Sequence, residues 1–181
     1  MAVARRITVD KSWRLRRLVL VCCLFLTAYP LCAQEGRVYK SLKEVTDPEA
    51  VYSLQLRGKR LKAVPAMVYK MTNLRELDLR GNRIAHLPDS IARLTHLQRL
   101  ELSRNPLMGL PSAMAQMTEL RELVLWSTYV TDLPPEFERL DGSLELLDLR
   151  DCPMAQEDQE ALERMLPTVK KLWYYACNCS N

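Results

Sequence analysis

The sequence predicts an α/β solenoid, in which each successive unit adds one strand to a parallel sheet. The first observation is a repeat whose copies begin 23, 23, 23, 24 and 25 residues apart. The second is that the copies keep apolar residues at the same places, and the third is an apolar-Pro step in the first four copies. The copies begin at Val51, Leu74, Leu97, Leu120 and Leu144, and a truncated sixth begins at Val169. A unit this short cannot bury its own leucines but a stack can, so this period indicates a solenoid.

Residues 1–33 precede the repeats and are predicted to be a signal peptide. Six basic residues are followed by an apolar run over 18–26, and the small residue Ala33 precedes Gln34. This order is typical of secretory leaders. A membrane-spanning helix needs about 20 apolar residues, and Pro30 ends this run earlier. We therefore expect cleavage before Gln34, with an uncleaved signal anchor as the alternative because the leader is long.

The charge of the chain changes when the leader is set aside. The whole chain has 26 basic and 22 acidic residues, and residues 1–33 hold six of the bases and one of the acids. The mature part therefore has 20 basic and 21 acidic residues. A nucleic-acid-binding domain shows a concentrated basic face, so no nucleic-acid partner is expected. We expect an exported protein, periplasmic or extracellular, without a stable membrane span after cleavage.

Residues 34–50 are predicted to form an N-terminal cap, and residues 51–166 are assigned to the repeats. The terminal units of a solenoid cover an open core edge and are expected to be atypical. In the cap, Tyr39, Leu42 and Val45 have helical spacing.

Residues 167–181 are predicted to be a C-terminal cap strand and tail. Just before them, a helical stretch from Gln156 to Met165 replaces the Leu-Pro turn of the fifth copy. Its apolar face is expected to consist of Ala161, Leu162, Met165 and Leu166, and the last strand of Val169, Leu172 and Tyr174.

The ninth position of the repeat carries a polar residue that we expect to be structural. Asn82 and Asn105 follow the strands of the second and third copies. An amide turned inward there can bond backbone groups that would otherwise be buried without partners. Lys59 departs from this pattern, which leaves the geometry of the first unit open.

The pattern Leu-x-x-Leu-x-Leu-x-x-Asn-x-Leu followed by Leu-Pro resembles the leucine-rich repeat family, over most of the chain after residue 36. With a cap of the form Tyr-x-Ser-Leu-x-x-Val, the chain is similar to short exported bacterial proteins of that family. The resemblance implies a horseshoe arc of about five to six repeats, with a parallel concave sheet and an irregular or short-helical convex side. It also implies that the concave sheet is the binding surface.

Side chains at the third, fifth and seventh positions of the repeat are predicted to line the concave face. They are polar or charged in the first three copies, whereas large apolar groups join them in the last three. Exposed apolar groups are informative on a soluble protein, and Trp, Tyr and Arg are enriched at binding hot spots. The predicted partner-binding residues are Trp126, Val124, Arg121, Leu146, Arg150, Trp173 and Tyr175. The alternative is that the C-terminal cap covers Trp126 and Trp173.

Three cysteines follow the leader: Cys152, Cys177 and Cys179. Cys152 and Cys177 hold the ninth position of adjacent copies, and adjacent strands lie about 4.8 Å apart, within the Cα separation of a disulfide. An oxidising compartment would allow a bridge between them. Cys179 competes for either partner, and both ninth-position cysteines could instead be small buried apolar residues.

No catalytic, cofactor-binding or metal-binding site is predicted. The sequence lacks a glycine-rich phosphate loop, a Gly-x-Ser-x-Gly element and a His-Glu-x-x-His element. We therefore expect a non-enzymatic module that binds a protein or peptide on its concave face. The alternative is a structural envelope or assembly component that self-associates through the aromatic C-terminal patch, and the oligomeric state is left open.

Overall fold

The computed structural model describes residues 36–173, which form a seven-stranded parallel sheet with the strands in chain order. The strands are β1 (Val38–Tyr39), β2 (Ser53–Gln55), β3 (Glu76–Asp78), β4 (Arg99–Glu101), β5 (Glu122–Val124), β6 (Leu146–Asp148) and β7 (Lys171–Trp173). From β2 onward each repeat contributes one strand to the sheet. The predicted α/β solenoid is confirmed.

The register of the sheet follows the repeat. The third positions pair from Ser53 through Glu76, Arg99, Glu122 and Leu146 to Lys171. The fourth-position leucines between them, such as Leu77, Leu100 and Leu123, are buried. Side chains of a strand alternate between its two faces, so one face of the sheet packs on the leucine core and the other carries the predicted third and fifth rows.

The convex side of the first four repeats consists of short 3₁₀ helices. They are Val68–Lys70, Asp89–Arg93, Ser112–Gln116 and Pro135–Leu140. Each follows an apolar-Pro step, because proline has no N–H to donate to a further strand. In each case a buried apolar residue of the helix is followed three positions later by a second one, at or just after the helix end, such as Ile91 and Leu94. A 3₁₀ helix has three residues per turn, so this spacing holds both side chains on the core face.

Helix α1 (Gln156–Met165) has the bounds that the sequence predicts. Its predicted apolar face is wrong at one position, since Ala161 is exposed while Gln159 and Leu162 are buried. Gln159 tolerates burial because its side-chain amide donates to the Met154 carbonyl at 3.1 Å. Leu162 and Leu166 then continue that stripe at helical spacing.

The N-terminal cap is a strand followed by two 3₁₀ turns, Leu42–Glu44 and Pro48–Ala50. The helical spacing of Tyr39, Leu42 and Val45 was therefore misleading. An exposed sheet edge leaves a row of unpaired backbone groups. β1 pairs with β2 at that edge, which a helix could not do.

Asn82 and Asn105 bond the repeat that precedes each of them, which confirms their structural role. The amide nitrogen of Asn82 donates to the Leu56 carbonyl at 2.8 Å, and its oxygen accepts the Leu61 N–H at 3.1 Å. Asn105 does the same for the carbonyl of Leu79 and the N–H of Ile84, both at 3.1 Å. The first repeat follows the cap rather than another repeat, which explains how the exposed Lys59 can replace an asparagine there.

Cys152 holds this position in the fifth repeat and is buried, with a free thiol among the described residues. Its Sγ donates to the Leu125 carbonyl at 3.2 Å and lies 3.3 Å from the Thr128 hydroxyl. Burial raises the pKa of the Cys152 thiol. Cys177 and Cys179 lie outside the described residues, so the disulfide stays a prediction.

The fourth repeat is one residue longer than those before it, and the extra residue lies at the Asp141-Gly142 turn. In the third repeat, Leu97 follows Leu94, the last buried residue of the preceding convex turn, by three residues. In the fifth repeat, Leu144 follows the equivalent Leu140 by four residues. Gly142 has a φ of 86°, which glycine adopts without strain.

Candidate binding site on the concave face

Carboxylates at the fifth position of the repeat are structural parts of the concave face. Each accepts the N–H of the residue two positions later: Asp78 from Arg80 at 3.1 Å, Glu101 from Ser103 at 3.1 Å, and Asp148 from Arg150 at 3.2 Å. Glu101 and Asp148 are 5% and 3% exposed. A buried carboxylate needs such donors to offset its lost hydration, so these acids stabilise the turn after each strand.

Ion pairs neutralise most of the remaining charge on this face. Arg57 Nε lies 2.6 Å from the Asp78 carboxylate, and Arg150 bonds Asp148 through two nitrogens at 2.6 and 2.8 Å. Arg99 pairs with Glu122 on the next strand. Exposed pairs contribute about 0–1 kcal/mol each. The charged side chains predicted to line this face therefore form pairs of opposite sign rather than a field of one sign.

An open depression of about 530 Å³ lies in the concave face across the second to fifth repeats. Its lining combines apolar and charged side chains: Arg80, Arg99, Glu101, Ser103, Val124, Trp126, Leu146, Asp148, Arg150 and Asp151. Binding sites are concave and mostly apolar, with a few polar groups that fix orientation. The depression has this composition at its Trp126 end.

Trp126 is half-buried and held from two sides. Its indole Nε1–H donates to the Asp151 carboxylate at 2.7 Å, and the Arg104 guanidinium lies 4.4 Å from the ring centroid. Helix α1 packs against the 3₁₀ helix Pro135–Leu140, which lies on the convex side. The indole therefore lines the concave face with a fixed orientation, as far as the described residues extend.

Four of the seven predicted partner-binding residues line the depression: Val124, Trp126, Leu146 and Arg150. Val124 is only 9% exposed, although the sequence suggested an exposed apolar group. Its neighbours in the fifth row are Glu101 and Asp148, which are buried as well. The fifth position lies between the third and seventh positions on the same face of the repeat, so neighbouring side chains flank Val124 on both sides.

Of the other three predicted residues, one lies apart from the depression, and the side chains of two lie outside the described part of the structure. Arg121 lies near the start of β5, where it contacts the Glu145 carboxylate at 3.4 Å. Trp173 ends β7 and pairs in register with Asp148, but its side chain is outside the described part of the structure. Tyr175 also lies outside the described residues.

Sequence reasoning missed the residues that hold Trp126 in place. Arg104 and Asp151 occupy the eighth position of the repeat, with φ values of 55° and 56°. A smaller depression of about 310 Å³ adjoins them on the loop side of the sheet, beside Tyr129, which is 61% exposed. Two earlier repeats carry glycine at the eighth position, Gly58 and Gly81, and a change from glycine to larger residues was the available signal.

Within residues 36–173, no group of three or more His, Cys, Asp or Glu side chains is placed to hold a metal ion. His96 instead pairs with Glu119 at 2.8 Å on the surface, and this hydrogen bond lowers the pKa of the Glu119 carboxyl. In the same part of the chain, no helix is long and apolar enough to cross a membrane.

Comparisons with known proteins agree with this architecture. A family model described as a leucine-rich repeat region matches residues 30–174. No curated protein matches the sequence. Among solved structures, the chain is similar to a leucine-rich repeat protein from Leptospira interrogans, with 25% sequence identity and a TM-score of 0.51. The match covers 74% of this chain and 45% of that one, so the chain spans less than half of that protein's length.

Proposed function

The chain belongs to the leucine-rich repeat family, and we propose that it is an exported, non-enzymatic module that binds a protein or peptide on its concave face. The family is one of protein-interaction modules, which supports the binding role. Export is supported by the predicted signal peptide, residues 1–33. The finer part of the proposal, the binding face, rests on the depression around Trp126.

The observation that carries the proposal is the braced indole of Trp126. Tryptophan is among the residue types that dominate binding energy, especially in a partly enclosed site. Asp151 and Arg104 already fix its ring, at 2.7 Å and 4.4 Å. A side chain that is ordered before binding loses less entropy when the partner arrives, so more of its contact energy contributes to affinity.

The dimensions of the sheet favour an elongated partner. Seven strands at a spacing of about 4.8 Å give a face about 29 Å long. The site runs from the third to the seventh position of each repeat, which gives a height of about 16 Å at 3.3 Å per residue. A standard interface between two folded proteins buries about 800 Å² on each side. This strip is smaller than that, so a single extended segment of the partner matches it better than a flat globular surface.

Capture from the extracytoplasmic fraction tests the proposal, with the protein starting at Gln34 as bait. The Trp126→Ala bait is compared with wild type and with Met67→Ala, which removes a side chain 37% exposed next to a convex 3₁₀ helix. We expect Trp126→Ala to lose about 2 kcal/mol of binding free energy, the cost of a hot-spot residue. Met67→Ala should bind as wild type does. Thermal unfolding of each bait controls for loss of the fold.

Three outcomes distinguish binding at the concave face from binding elsewhere and from self-association. A partner lost only with Trp126→Ala supports the concave site. Equal capture by all three baits contradicts it and places binding elsewhere on the molecule. Capture of only a second copy of the chain supports the alternative, a structural envelope or assembly component that self-associates.

A further inference from the structure

Arg80 differs from the other arginines in the strand rows of the concave face. Its side chain is half-buried and lines the depression. Arg57, Arg99 and Arg150 each form an ion pair with a carboxylate. The Arg80 guanidinium makes no ion pair or hydrogen bond with any residue in the described range 36–173, where its backbone N–H and carbonyl are bonded.

The repeat explains how Arg80 comes to lack a partner. In the first repeat the equivalent Arg57 reaches across to Asp78, the fifth-position acid of the next repeat. The corresponding acid for Arg80 is Glu101. Its carboxylate instead accepts the N–H and the hydroxyl of Ser103, and Arg99 lies 3.8 Å away. Two neighbouring residues therefore occupy the acid that Arg80 would otherwise pair with.

We propose that Arg80 binds a carboxylate of the partner segment, which makes the preferred ligand an acidic peptide. This inference rests on the proposed function and names its ligand chemistry. Arginine presents a planar fork of N–H donors that matches a carboxylate. A guanidinium partly removed from water gains from an incoming anion, since its attraction is less screened there. The other cations of the depression, Arg99 and Arg150, are already paired.

The distance between Arg80 and Trp126 also predicts a second feature of the peptide ligand, an apolar side chain at a fixed spacing from its carboxylate. Arg80 and Trp126 both hold the seventh position, in the second and fourth repeats. Two strand intervals separate them by about 9.6 Å. A polyproline II segment repeats its side-chain direction every three residues, a rise of about 9.3 Å. The geometry therefore fits a segment with an acidic side chain at Arg80 and an apolar one three residues away, against Trp126 and Leu146.

Selection of short random peptides displayed on phage tests this inference. Peptides are selected on the purified wild-type protein, and the enriched ones are synthesised for affinity measurement. We expect an acidic residue in each, and about a tenfold loss of affinity with Arg80→Gln, as for a hydrogen bond to a charged group. Replacing that acid by its amide should have the same effect, and combining both changes should add little, because they remove one interaction. Arg139→Gln, an exposed position on the convex 3₁₀ helix Pro135–Leu140, is the control and should leave the affinity unchanged.

The outcomes distinguish this inference from the proposed function. Peptides that require Trp126 but bind Arg80→Gln as tightly as wild type would overturn the role of Arg80 and leave the concave site standing. Failure to enrich any peptide, or enrichment that depends on neither residue, would overturn both. An acid-dependent peptide that loses affinity with both Arg80→Gln and Trp126→Ala would support both.

Discussion

A single asparagine joins two repeats at each ninth position that carries one. Asn105 donates to the carbonyls of Leu79 and Leu102 at 3.1 and 2.8 Å, and accepts from the N–H of Ile84 at 3.1 Å. It is 3% exposed. Water therefore cannot replace these bonds, and one amide serves backbone groups of its own repeat and of the one before.

Asn105→Ala should lower the free energy of unfolding by about 3 kcal/mol, because it leaves several buried backbone groups without partners. Urea unfolding measures the change. Asn73→Ala is the control, since it loses a single bond, to the Glu49 carbonyl at 2.8 Å on the surface. A similar small loss in both variants would show that the buried amide is not what joins the repeats.

The sequence identifies Asn105 but not its neighbour Arg104. An asparagine at a fixed place among buried apolar residues is expected to bond buried backbone groups, so the role of Asn105 could be predicted. Arg104, Ser127 and Asp151 all adopt φ values between 55° and 57°, which side-chain-bearing residues rarely do. Glycine holds this position in the first two repeats, as Gly58 and Gly81, and is a sequence signal for the left-handed conformation. The contacts that Arg104 and Asp151 make with Trp126 could not be predicted from that signal.

At the scale of elements, strand positions and helix α1 were predictable from the sequence, whereas the structure of the N-terminal cap was not. The register of β2 to β7 follows from the leucine spacing, because shifting a strand by one residue would turn its leucines to solvent. β1 has two residues and only one of them, Tyr39, is buried. A strand of two residues has no periodicity that a sequence could show. It can be recognised only from its pairing with β2.

The fourth and fifth repeats are joined by a clasp between Asp141 and Thr168. The Asp141 carboxylate accepts both the N–H and the hydroxyl of Thr168, at 2.9 and 2.7 Å. The Thr168 hydroxyl accepts the Gly142 N–H at 2.7 Å. The extra residue of the fourth repeat thus lies at a contact with the segment that leads into β7.

Thr168→Val keeps the side-chain shape but removes both hydroxyl bonds of the clasp. We expect it to lower the free energy of unfolding by about 1–2 kcal/mol, with local opening of β7 seen as faster amide exchange at Lys171 to Trp173. Thr131→Val is the matched control, because its hydroxyl bonds only the adjacent Asp132 at the surface. Unchanged exchange in β7 would show that the clasp does not hold the C-terminal strand.

At the scale of the whole molecule, the depression belongs to no single repeat. Arg80 comes from the second repeat, Trp126 from the fourth and Arg150 from the fifth, and stacking brings them together. The rows of the concave face could be predicted, and four of the seven predicted partner-binding residues line it. The sequence does not predict that Arg80 stays unpaired, because this depends on how Glu101 divides its contacts between Ser103 and Arg99.

The most direct test of the central claim, that the concave face binds a protein partner, is site-specific photocrosslinking in the producing cell. A photoreactive phenylalanine is placed at Leu146, which lines the depression beside Trp126, or at Met67, which lies by the convex side. We expect an adduct with another protein from position 146 and none from position 67. An adduct from Met67 alone, or from both positions equally, would contradict the claim.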